Sequence, residues 1–315
     1  MTQKDSVSRR IIFMGTPEFA VASLDALLKN EFDIRAVVTA SDKPAGRGLQ
    51  SKSSAIKIYA QENNIPVLQP ANLKDPLFLE QLKSFQPDLQ VVVAFRMLPE
   101  IVWNYPPLGT INLHASLLPH YRGAAPINWA VINGEKETGL TTFKLKHEID
   151  TGDILLQERM KIGEEETAGE LHDRMMVQGG YLLVNTLNGL FDRSLHSTSQ
   201  LSLVSKVDST LKHAPKISRE LCKIQWSDSL HDVFNFVRGL SPNYGAFTYF
   251  NQKMMKIYRA KKETGKVHLP PGEFTTDHQN YLRFACSDGF LSVTELQMEG
   301  KKKMGVVEFL RGTRK

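Results

Sequence analysis

Short apolar runs alternate with stretches whose apolar positions recur at helical spacing through the first half of the chain. Residues 10–14 (RIIFM) read as a buried strand that ends in a turn at Gly15, Thr16 and Pro17. Residues 19–28 then carry apolar positions on one helical face. Residues 33–40 and 89–94 repeat the Val-rich strand pattern, with helices predicted over 54–63 and 76–84 between them. Strands apolar at nearly every position suit a sheet covered on both faces. The alternation predicts an α/β unit with a Rossmann-like, doubly wound, mostly parallel sheet.

The pattern changes farther along. Within residues 139–160 two strand-like runs flank the tight segment Asp150, Thr151, Gly152 and Asp153. Thr167 and Glu170 have the spacing of a capping box that opens a helix running to about Leu187. Residues 191–212 are poor in pattern and rich in Ser, Thr, Asp and Lys, which predicts a linker. Beyond it a helix is predicted over 229–240. Short runs at 246–250, 254–260, 281–286 and 291–296 follow, separated by Gly and Pro turns, and predict a small OB-like β-barrel. The expected organisation is a catalytic domain over 1–190, a linker over 191–212 and a C-terminal domain over 213–315.

Charge sharpens this division. The 315-residue chain has a net charge of +5, but residues 210–315 hold 18 Lys/Arg against 10 Asp/Glu and the remainder 21 against 24. A basic module beside a mildly acidic one suggests a polyanionic partner such as nucleic acid, with a solvated basic surface as the bland alternative. Cys222 and Cys286 are too few for a disulfide framework and are expected as buried thiols. The N-terminal residues lack a signal-peptide apolar core, and no run approaches the roughly 18 apolar residues of a membrane span. A cytoplasmic protein without membrane contact is expected.

Candidate chemistry concentrates between residues 110 and 128. Asn112, His114 and Ser116 alternate, so on a strand their side chains leave one face. A histidine and an amide there, with Asp150 from a nearby turn, can hold a carbonyl oxygen and move a proton. Neither cysteine lies near, and Ser116 has no evident base, so direct attack by a substrate amine is favoured over covalent transfer. The nine histidines show no H-E-x-x-H or comparable spacing, and no metal is expected. A single glycine at residue 15, followed by Pro17, lacks the G-x-G-x-x-G of a dinucleotide site. Residues 41–53 (SDKPAGRGLQSKS) form a long basic loop, with Lys43 and Arg47 available to an anionic substrate.

The segment NLHASLLPHYRGAAPI closely resembles the signature of folate-dependent formyltransferases, and IDTGD at 149–153 resembles that family's second catalytic segment. The opening RIIFMGTPEF, the loop DKPAGRG and the C-terminal LQMEGKKKM are similar to members acting on methionyl-tRNA. The resemblance implies formyl transfer from 10-formyltetrahydrofolate to methionyl-initiator tRNA, by a monomer. It implies Asn112, His114 and Asp150 as the catalytic set, and Ser116, Leu117, Leu118 and Pro119 as the folate turn, with the pterin near 92–98. Lys43, Arg47, Lys301, Lys302 and Lys303 would meet tRNA. Two segments depart from the family pattern: AFRMLP at 94–99 is one residue shorter than A-Y-G-x-x-L-P, and SPNYGA at 241–246 replaces N-P-W-P-x-A. The same chemistry on a small amine, hydrolysis of formyl-folate, or RNA binding without catalysis are the alternatives.

Overall fold

Positions 11–15 are all buried and form the first strand of the central sheet. The computed structural model describes residues 9–45, 50–204 and 210–312, with the backbone alone for 43–45 and 50–52. In chain order the strands are β1 (Ile11–Gly15), β2 (Ile34–Val38), β3 (Lys43–Ala45), β4 (Gln50–Lys52), β5 (Val67–Leu68) and β6 (Leu89–Val93). β7 (Thr110–His114), β8 (Arg122–Gly123), β9 (Glu137–Lys144) and β10 (Ile154–Lys161) follow. Seven of them make one sheet in the order β10-β9-β7-β6-β1-β2-β5. From β5 to β7 every pairing is parallel, and β7 meets β9 antiparallel, so the mostly parallel sheet is as expected.

The order carries a functional consequence. The chain winds outward from β1 to β2 and β5, then returns to β6 on the other side of β1. Ligands of such sheets sit beyond the carboxyl ends of the strands at this reversal. Gly15 ends β1 there: a Cβ would lie 2.4 Å from the Ala20 Cβ and 2.9 Å from the Val93 carbonyl oxygen, so no side chain fits. Ile12, Met14, Val38 and Val92 on one face of the sheet pack with Phe78, Leu82 and Val102 from helices. Each such side chain contributes about 1.5–3 kcal/mol when fully buried. Ser54 and Asp75 cap the helices Ala55–Glu62 and Pro76–Ser84 by accepting from Lys57 N and Leu77 N.

The chain forms two compact units. One comprises Met1–Arg122, Gly139–Arg159 and Asp173–Leu211, the other Gly123–Thr138, Met160–His172 and Lys212–Lys315. The second holds β11 (His213–Ala214), β12 (Ala246–Phe250), β13 (Lys253–Thr264), β14 (Phe274–Thr276), β15 (Leu282–Ala285), β16 (Gly289–Met298) and β17 (Met304–Gly305). Five run in the order β12-β13-β16-β15-β14, with β17 on β16, through antiparallel pairs. A register shift near Arg259 bends β13. Among the described residues no pairing joins β12 to β14, so the sheet is a curled half-barrel. Its core gathers Val233, Phe234 and Val237 of the helix Leu230–Leu240 with Ile257, Phe284, Leu291 and Leu296, and includes Ala125. Trp129 and Ile132 pack against it.

Two local expectations are met here. Thr167 N donates to Glu170 Oε2 at 2.9 Å while Glu170 N donates to Thr167 Oγ1 at 3.2 Å, a reciprocal cap on the helix Ala168–Phe191. Cys222 and Cys286 are free and buried, and burial pushes the Cys286 thiol up to about 12. The SPNYGA segment has a packing part: Ser241 O accepts from Gly169 N at 3.0 Å, and a Cβ on Gly169 would strike Pro242.

Candidate functional site

β7 brings Asn112 and His114 to one face of the sheet, while the buried apolar Ile111 and Leu113 face the other way. His114 is only 7% exposed, and its ring packs edge-on against Phe143 of β9 at 6.5 Å. Its Nε2 lies 2.9 Å from the Tyr121 carbonyl oxygen. A carbonyl only accepts, so Nε2 carries a hydrogen and the neutral ring keeps its lone pair on Nδ1. Nδ1 faces the Asp150 carboxylate, with Oδ2 3.9 Å away, too far for a direct hydrogen bond. The half-buried Asn112 amide has no hydrogen-bond partner among the described residues and can accept one from a ligand.

Asp150 is placed by its turn. A Cβ on Gly152 would lie 1.6 Å from the Lys144 carbonyl oxygen, so this approach of β9 and β10 requires glycine. Asp150 itself adopts a left-handed backbone, φ 55°, which an aspartate tolerates better than most residues. Gln200 donates from Nε2 to the carbonyl oxygens of Asp150 and Gly152 at 2.9 and 2.8 Å. Its Oε1 accepts from Arg122 Nε and Nη2 at 3.1 and 2.6 Å. Burial pushes the Arg122 guanidinium below its usual value, and the Asp150 carboxylate opposes that shift. Arg122 belongs to the NLHASLLPHYRGAAPI segment, whereas Gln200 lies in the pattern-poor stretch 191–212.

The turn after β7 is built on internal bonds. Ser116 Oγ donates to His120 O at 2.8 Å, and Thr141 Oγ1 donates to Ser116 O while accepting from Leu118 N. Gln157 Nε2 donates to Leu118 O and Thr141 Oγ1, both at 2.9 Å. Ser116, Leu118 and Pro119 are buried and Leu117 is half-buried. The side chains are therefore occupied within the protein, and a ligand would meet the turn through its backbone and shape.

The 94–99 segment takes its own course. Ala94 is left-handed at φ 48°, and Arg96 donates to the carbonyl oxygens of Ala71 and Pro70. Met97 is 73% exposed. His147 Nε2 lies 2.9 Å from Glu100 Oε2, and Trp103 meets the His147 ring edge-on, so the segment leading to Asp150 rests on the helix Glu100–Trp103. Lys43 lies in β3, which pairs with β4, whereas Arg47 lies outside the described residues.

The basic residues of the second unit divide by occupation. Lys256 donates to Tyr244 O, Lys262 lies over the Phe234 ring, and Lys303 pairs with Glu295 while lying over Tyr258. Lys301 and Lys302 are exposed beside it. A cleft of about 150 Å³ is lined by Arg238, Arg259, Lys261, Thr167 and Tyr258. Among the described residues no group of His, Cys, Asp or Glu is placed to hold a metal ion, and no helix is long and apolar enough to cross a membrane.

The family descriptions "Formyl transferase" and "Formyl transferase, C-terminal domain" match residues 9–187 and 216–314. A methionyl-tRNA formyltransferase of Azobacteroides pseudotrichonymphae is 50% identical over 310 residues, covering 96% of this chain and 95% of the relative. That of Bacteroides fragilis is 47% identical over 309 residues, covering 96% and 94%. Among solved structures, an N-formyltransferase from Helicobacter canadensis superposes with a TM-score of 0.68 over 92% of this chain and 99% of its own, at 21% identity, and so shares the fold. With both halves of the family described in order along it and about half its residues shared with curated members over nearly full length, the chain belongs to the formyl transferases.

Proposed function

We propose that the protein transfers the formyl group of 10-formyltetrahydrofolate to the α-amine of methionine carried by initiator tRNA, for translation initiation. The observation that carries the reading is the environment of His114: Nε2 committed to the Tyr121 carbonyl, Nδ1 turned toward Asp150, and an unpartnered Asn112 amide on the same strand face. Asn112 donates to the formyl oxygen as negative charge develops on it, and His114 Nδ1 accepts the proton that the attacking amine loses, through a water held by Asp150. The new bond joins the amine nitrogen to the formyl carbon. The bond to N10 of the folate breaks, and the proton passes to that nitrogen.

The folate lies against the turn of Ser116, Leu117, Leu118 and Pro119, with its pterin near 92–98. Residues 1–190 carry the catalytic set, and 213–315, joined through 191–212, hold phosphates of the acceptor arm with Lys301, Lys302 and Lys303. Lys43 and Arg47 meet the acceptor end. Relatives sharing about half of the residues bear this activity in their names, whereas the sugar-acting fold neighbours share about a fifth. The protein acts as a cytoplasmic monomer.

The test is incubation of the protein with 10-formyltetrahydrofolate and charged initiator tRNA, repeated with His114→Ala. Formyl-methionyl-tRNA is expected in the first tube and not in the second. Its absence from the first rejects the reading.

A further inference from the structure

Gln200 is 1% exposed and lies in the stretch between residues 187 and 216 that neither family description covers. A buried primary amide has two N–H donors and an oxygen with two lone pairs. All four are used here. Both donors go to main-chain carbonyls of the turn that bears Asp150, and both lone pairs go to Arg122. Two backbone bonds, Ile154 N to Thr198 O and Thr198 N to Ile154 O, each 2.8 Å, fix the approach of this segment two residues earlier.

The connections converge on one imidazole. Arg122 follows Tyr121, whose carbonyl accepts from His114 Nε2, and Asp150 stands opposite His114 Nδ1. The left-handed backbone of Asp150 has a carbonyl held by Gln200 on one side and a carboxylate presented to the histidine on the other. Resting on the formyl-transfer reading above, we propose that Gln200 is a positioning residue for the reaction. Together with Arg122 it forms a clamp that sets the distance between the Tyr121 carbonyl and the Asp150 carboxylate, and so the orientation of His114.

A hydrogen-bonding amide is needed for this, not bulk alone. Gln200→Met fills the same space without the bonds. Gln200→Glu retains acceptors for Arg122 but turns an oxygen toward the two turn carbonyls. Both variants are expected to lower kcat roughly tenfold to a hundredfold, with KM for either substrate within about threefold, because misplacing a catalytic group by about an ångström costs on that order. The decisive comparison is a double-mutant cycle with Asp150→Asn. If Gln200 acts through Asp150, adding Gln200→Met to Asp150→Asn costs little more than Asp150→Asn alone.

Effects that multiply independently, or an unchanged kcat in a variant that melts cooperatively, overturn the proposal. Should Gln200→Met fail to fold, Gln200→Glu carries the same cycle. Wild-type protein without formyl transfer overturns the functional reading itself, an outcome distinct from an active wild type indifferent to Gln200.

Discussion

Asn112 is the residue whose part is separable from the rest, because its amide is the one polar group on the β7 face with no partner among the described residues. Asn112→Ala is therefore expected to leave folding almost untouched and to lower kcat by about 10²–10³, the loss of roughly 2.7–4 kcal/mol typical of one oxyanion donor. Steady-state kinetics with a melting curve on the same sample check both halves. Gly152 behaves oppositely. Any side chain meets the Lys144 carbonyl at once, so Gly152→Ala displaces the Asp150 turn, and activity and melting temperature are expected to fall together. At this scale the alternation of Asn112 and His114 and the turn around Gly152 could be read from the sequence. Gln200 could not, since what marks it is a set of bonds to main-chain carbonyls about fifty residues away, and main-chain partners leave no trace in residue type.

At the scale of elements, local rules were legible wherever neighbours in sequence are also partners in space. The Thr167 and Glu170 cap forms as its spacing predicts, and Thr167→Ala is expected to cost about 1 kcal/mol in chemical denaturation. The backbone bond from Thr167, aided by Arg259, holds the Glu170 carboxyl at about 2 against an ordinary value of 4.5. Its folded value is depressed, so its contribution is complete above about pH 4.5 and disappears as pH falls toward 2. Glu170 is exposed to solvent, which limits that contribution to under about 1 kcal/mol. Wild type should therefore lose stability more steeply than Glu170→Gln across this acid range, in urea titrations at successive pH values. The 94–99 segment shows the limit of such rules. Ala94 takes the left-handed backbone, and Arg96 ties the segment to carbonyls at 70 and 71 that no local pattern foretells.

For the whole molecule, the excess of positive charge in the C-terminal third was plain from composition, but the duties of its lysines were not. Lys256, Lys262 and Lys303 each have partners inside the unit, whereas Lys301 and Lys302 are exposed. Replacing Lys301, Lys302 and Lys303 together by Gln is expected to weaken binding of charged tRNA and reduce the slope of log K against log salt by about two, since each phosphate neutralised contributes about 0.7–0.9. Fluorescence titrations between low and physiological salt measure it. An unaltered slope would exclude these lysines as phosphate contacts.

The interleaving of the two units was also invisible in the sequence, because apolar positions at helical spacing do not say which core they face. Residues 123–138 and 160–172 belong with the C-terminal unit. During synthesis they leave the ribosome well before Lys212 and the strands that follow. Ala125, Trp129 and Ile132 must then wait, uncovered, for a core that has not yet been translated. The nascent chain thus passes through an interval in which a chaperone, or a neighbouring chain, can reach an apolar surface that the finished protein hides.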